Sequence, residues 1–85
     1  MGFLFTIILF ISSLQQTVSG TVSDSRMGDR LVMVEVISSV ETTYTDLDGK
    51  YTINVVEGDS LTFKYVGYNT VKVCTEDCEN VSMSY

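Results

Sequence analysis

The sequence predicts an all-β domain, a small seven-stranded antiparallel sandwich or open barrel, behind an N-terminal signal segment. Three observations predict it. Beyond residue 17, apolar and polar residues alternate with a period of two, which is the strand signature. Turn signals rich in glycine and aspartate separate these runs at intervals of roughly ten residues. No helical stripe appears in that stretch, and with 85 residues in all the chain has room for one domain.

The elements follow in order. Gly2–Ile11 reads GFLFTIILFI, an uncharged run well short of the roughly twenty apolar residues of a membrane-spanning helix. It has the length of a signal-peptide apolar region, and the small and polar Ser12–Gln16 follows where cleavage is expected. This places a signal segment at 1–16 and the folded domain at 17–85. No Lys or Arg precedes the run, and it carries no A-x-A site. No cysteine follows it closely, so lipid attachment has no support.

Val18–Val22 opens the strands. Leu31–Val36 is almost wholly apolar and is expected to be a strand buried on both faces. Thr42–Thr45 is β-rich. Tyr51, Ile53 and Val55 alternate with Thr52 and Asn54. Leu61, Phe63 and Tyr65 do so with Thr62 and Lys64, Val71 and Val73 flank Lys72, and Val81, Met83 and Tyr85 close the series. Turns are expected at Asp24–Ser25, Met27–Asp29, Asp48–Gly49, Glu57–Asp59 and Gly67.

Composition bounds the chemistry. The absence of histidine removes the commonest general base, the Ser–His and Cys–His pairs and the usual zinc ligand. Five Lys/Arg against eleven Asp/Glu give a net charge of −6, which opposes a nucleic-acid face. The acidic surplus is spread along the chain and reads as a solvated surface.

Three motifs carry candidate chemistry. Asp46–Leu47–Asp48–Gly49–Lys50 places acids at positions 1 and 3 of a calcium-loop count, with Glu57 at position 12. Lys50 falls at position 5, however, where its charge would oppose an ion. The favoured reading is a hairpin turn with Gly49 at positive φ and Asp48 bonding its own backbone. Cys74 and Cys78 frame Thr75–Asp77. Across a hairpin with a three-residue loop they come within disulfide range, and closing so small a loop contributes about 2 kcal/mol. Free thiols remain open as an alternative, while the negative charges of Glu76, Asp77 and Glu79 oppose the thiolate that a reactive pair requires. Tyr65-Val66-Gly67-Tyr68 reads either as an aromatic platform or as core packing, with Tyr65 continuing the Leu61–Phe63 stripe and Tyr68 at the sandwich edge. Tyr44 is a separate exposed aromatic candidate. Asn80–Ser82 matches a glycosylation sequon without functional weight here.

Four of these pieces, in this order, resemble a known family: Val18–Val22, then Gly28-x-x-Leu31-x-x-Val34-x-Val36, then Thr45–Asp46-x-Asp48–Gly49-x-Tyr51-x-Ile53, then Leu61-x-Phe63-x-Tyr65-x-Gly67–Tyr68. Together they look like the carboxypeptidase-regulatory-like domain, in the version at the N-terminus of SusC/RagA-type TonB-dependent outer-membrane transporters of Bacteroidota. Arg30 and Met33 stand where the family usually carries Pro and Gly, and the two cysteines are not a usual family feature. The resemblance implies a prealbumin-like, Ig-like β-sandwich without catalytic residues, serving as an accessory or interaction module. No cofactor or metal is expected.

The expected protein is therefore a non-catalytic exported module of the periplasm, outer membrane or cell exterior. Its expected partner is another envelope protein or a glycan, with no nucleic acid, and with membrane contact only through export or an attached partner. Two surfaces are open for that role: an exposed sheet edge, and a loop end carrying Tyr44, Asp46, Asp48 and Tyr68. The alternatives are a truncated N-terminal extension domain of a TonB-dependent transporter and a small carbohydrate-binding module.

Overall fold

The computed structural model describes residues 15–85. The expected signal segment lies outside the described residues, apart from Gln15 and Gln16, which begin the first strand. The strands are β1 (Gln15–Asp24), β2 (Glu35–Ile37), β3 (Thr42–Tyr44), β4 (Lys50–Val56), β5 (Ser60–Lys64), β6 (Val71–Cys74) and β7 (Asn80–Met83), with one 3₁₀ turn at Thr75–Asp77. They form two sheets, a three-stranded one in the order β4-β1-β7 and a four-stranded one in the order β3-β2-β5-β6.

β1 organises the smaller sheet. Gln15 to Thr21 pair antiparallel with Val56 to Lys50, and Thr21 to Asp24 pair with Asn80 to Met83 of β7. That second pairing is parallel, which corrects the expectation of a wholly antiparallel fold. The reason lies in the connection before β7. β6 is an edge of the four-stranded sheet, and the 3₁₀ turn carries the chain across to the other sheet, so β6 and β7 form no hairpin. A strand that arrives by crossover is free to lie parallel to its neighbour.

Alternation sets the core. Tyr51, Ile53 and Val55 point inward from β4, Leu61 and Phe63 from β5, and Val81 and Met83 from β7, all buried. They meet Val22, Val34 and Val36, and the Tyr51 and Phe63 rings pack edge to face with centroids 5.4 Å apart. Each such side chain contributes about 1.5–3 kcal/mol by leaving water.

Leu31–Val36 does not form the expected continuous strand, since only its end joins β2. Met33 takes a left-handed conformation (φ 64°), and a bulge results. The Met33 amide donates to the Thr45 carbonyl, and the Val34 amide donates to Thr45 Oγ1 at 2.9 Å. Thr45 Oγ1 in turn donates to the Leu31 carbonyl at 2.6 Å. Two residues thus oppose one, so Leu31 and Val34 both reach the core while Met33 is thrown outward.

Candidate interaction surface

The cysteines depart furthest from expectation. Cys74 is exposed on β6 and Cys78 is buried, and both are free. No bridge joins them, because the 3₁₀ turn separates a residue on the outer surface from one that seals the end of the core. Cys78 Sγ donates to the Thr75 carbonyl at 3.1 Å, and the Cys78 carbonyl accepts the Tyr51 hydroxyl. Burial first, and then this hydrogen bond, push the Tyr51 hydroxyl far above its ordinary pKa.

The acidic turn is also a crossing between sheets rather than a hairpin, since β3 and β4 lie in different sheets. Gly49 has the expected positive φ of 73°, but Asp46, not Asp48, bonds the backbone. Asp46 Oδ1 accepts the Asp48 and Lys50 amides, each at 2.9 Å. Those two amides, Lys50 first, hold its carboxyl below its ordinary pKa. Oδ1 of Asp46, the first acid of the calcium-loop count, thus serves the turn. β4 also carries Glu57 some 20 Å away at about 3.3 Å per residue.

Two depressions mark the surface of the described residues. The larger, of about 650 Å³, is lined by polar groups including Lys50, Thr52, Glu76, Glu79 and Asn80, beside the 3₁₀ turn. The second, of about 530 Å³, is lined by Met33, Glu35, Tyr44, Lys64, Tyr65 and Val66, with Thr70 beside them. Its floor is a cross-strand row on the outer face of the four-stranded sheet, in which Glu35 pairs with Tyr44 on one side and Lys64 on the other. Among the described residues, Met33, Tyr44 and Val66 are three of the seven large apolar side chains left exposed, at 62%, 50% and 95%. Their gathering in one groove singles it out, because scattered apolar residues are normal on a surface and clustered ones mark contact sites.

This groove continues into a tyrosine cluster. Tyr65 and Tyr68 lie 5.4 Å apart, Tyr68 and Tyr85 4.9 Å, and the Arg26 guanidinium sits 4.4 Å over the Tyr85 ring. Tyr65 and Tyr68 are half-buried against the core. Partial burial first, and then the Asp24 carboxylate, push the Tyr68 hydroxyl above its ordinary pKa. Of the four candidate surface residues, Tyr44 and Tyr68 are linked through Tyr65, whereas Asp46 and Asp48 belong to the crossing turn. Sequence reasoning missed Met33, Glu35, Lys64 and Val66. Strand alternation could have placed Glu35 and Lys64 on the outer face, and the bulge that turns Met33 outward was signalled only by the resemblance, in which Arg30 and Met33 replace the usual Pro and Gly.

These features define a class: a small two-sheet β-sandwich that carries a partly apolar groove on the outer face of its larger sheet. More specifically, the CarboxypepD_reg-like domain matches residues 18–84, and the chain belongs to that family. The family is a non-catalytic β-sandwich domain often found in envelope proteins. No curated protein matches the chain.

Proposed function

We propose that this chain is an exported, non-catalytic accessory module that docks a partner protein of the cell envelope through the Tyr44 groove and the adjoining edge of β3. The observation that carries this reading is the clustering of Met33, Tyr44 and Val66 around the Glu35–Lys64 pair. The rings and the thioether supply adaptable apolar contact, and the two charges supply orientation. β3 ends the four-stranded sheet. Pairing alternates along a strand, and the Ser38 amide donates to the Glu41 carbonyl at the hairpin end of this ladder. Thr42 and Tyr44 therefore present their backbone groups away from β2, where an extended segment can pair. The prealbumin-like strand arrangement and the setting beside a SusC/RagA-type transporter belong to the same reading, with the transporter as the kind of partner.

The test is a photo-crosslinking side chain at Tyr44, with Thr52 as the control position, in cells fractionated after irradiation. A discrete protein adduct in the envelope fraction from position 44, abolished by Met33→Ala with Val66→Ser, supports the proposal. A cytoplasmic protein, or equal adducts from both positions, overturns it. A glycan adduct from position 44 transfers the groove to the carbohydrate-binding alternative.

A further inference from the structure

The exposed apolar side chains are not spread evenly over the molecule. The strand registers put the loops 25–34, 45–49 and 65–70 at one end of the sandwich and the turns 38–41, 57–59 and 75–77 at the other. Hydrogen bonds and ring contacts tie the first end together. Arg30 Nη1 donates to the Asp48 carbonyl at 3.2 Å, the Asn69 amide donates to the Ser84 carbonyl at 2.8 Å, and Arg26 and Tyr68 meet at the Tyr85 ring. The three most exposed large apolar side chains among the described residues stand on these three loops: Met27 at 74%, Leu47 at 86% and Val66 at 95%. A Cβ on Gly28 or Gly67, beside two of these tips, would meet nothing within 4 Å, so the tips stand clear of the fold. Of the seven exposed apolar side chains, Val40 alone lies at the other end.

The surroundings of the tips have the chemistry of a lipid interface. Behind them lie Tyr44, Tyr68 and Tyr85, whose rings join an apolar body to a hydroxyl, a side chain favoured where a bilayer meets water. The loops hold charges of both signs, Arg26 and Arg30 with Asp29, Asp46 and Asp48. The turns at the other end carry Glu41, Glu57, Asp59, Glu76 and Asp77 and no Lys or Arg. Mixed charges match a headgroup that holds both a phosphate and an amine, whereas the one-sided charge of the far end keeps it in water. Three separate apolar points also suit a fluid surface that closes around each of them, where a protein partner is met by one continuous patch.

We propose that this end of the domain rests on a phospholipid bilayer, with Met27, Leu47 and Val66 inserted among zwitterionic headgroups. The contact is the domain's own, beside any made through export or an attached partner. It does not depend on the Tyr44 groove as a protein dock, although a domain seated this way holds that groove close to the membrane. Apolar burial carries the contact, so salt affects it little.

Position-specific fluorescence of the full chain tests this, with Cys74→Ser leaving the buried Cys78 as the only native thiol. An environment-sensitive dye is attached at Met27→Cys, Leu47→Cys or Val66→Cys, and at Val40→Cys as the control. The vesicles are phosphatidylcholine and phosphatidylethanolamine with a nitroxide quencher in the upper acyl chain. About a twofold loss of emission is expected at each of the three tips and none at position 40, with little change on adding salt. Met27→Ser with Val66→Ser is expected to restore the emission of a label at position 47. Unquenched tips overturn the proposal, including where the chain is held on the vesicle through Gly2–Ile11 alone, and so does equal quenching at all four positions. Tips that stay unquenched on bare lipid and change emission only in vesicles rebuilt with envelope proteins assign this end to a protein and overturn it as well.

Discussion

Replacing Tyr51 with Phe removes one oxygen from the end of the core and leaves the ring in place against Phe63. The lost group is the donor to the Cys78 carbonyl, which holds the chain where it crosses between the two sheets. The hydrogen bond itself is worth about 1 kcal/mol, and leaving a buried carbonyl without its donor adds a similar amount, for a total of about 2 kcal/mol. A domain of this size has a stability of roughly 4–10 kcal/mol, so the change removes a large share. Urea unfolding followed by far-UV circular dichroism should show a lower midpoint at unchanged slope. Thermal unfolding should fall by roughly 10 °C. The alkaline limb adds an independent reading. The fold favours the protonated phenol, so that contribution is complete below the ordinary tyrosine pKa and is lost as pH rises beyond it. Wild type should therefore lose stability above that pH more steeply than Tyr51→Phe. A loss under 0.5 kcal/mol, or identical alkaline limbs, would refute the role given to this hydrogen bond.

Other positions give equally specific expectations. A Cβ on Gly20 would meet the Cys78 carbonyl oxygen at 2.2 Å and the Glu79 carbonyl oxygen at 2.8 Å, so Gly20→Ala should cost about 1–3 kcal/mol in urea unfolding. Thr45→Val keeps the shape but loses the hydroxyl shared by Val34 and Leu31, and should cost about 2 kcal/mol in the same assay. Asp46 and Asp59 are both held below their ordinary pKa. For Asp59 partial desolvation opposes the shift, but the Ser39 hydroxyl and the Ser60, Val56 and Ser39 amides outweigh it. Their contribution is complete above the ordinary carboxylate pKa and falls away as pH drops through the lowered values, so Asp46→Ala should flatten the acid limb of the stability curve. A thiol reagent should titrate one group in the native protein, Cys74, and the second only on unfolding. Two groups reacting at once, or none in denaturant, would contradict the buried and free Cys78.

The strands themselves were legible because their signal is local. Tyr51, Ile53 and Val55, then Leu61 and Phe63, then Val81 and Met83 announce their inward faces by alternation. Gly49, Gly58 and Gly67 mark turns that need the positive φ they adopt. The candidate groove was half legible. Tyr44 stood out as an aromatic with no place in the alternating core stripes, but its companions come from β2, β5 and the loop after β5, and their meeting depends on sheet order.

By itself, then, the sequence determined an acidic, histidine-free, all-β chain, with the faces and approximate limits of its strands and the family to which they belong. Only the tertiary structure decided who neighbours whom: β7 parallel to β1, Cys78 in the core and Cys74 outside it, Met33 turned outward by its bulge, and Asp46 in the role expected of Asp48. The physical reason is the range of each interaction. Alternation and turn conformation are settled within a few residues, whereas strand order, crossovers and the burial of a side chain at a sheet junction depend on groups tens of residues apart competing for one core.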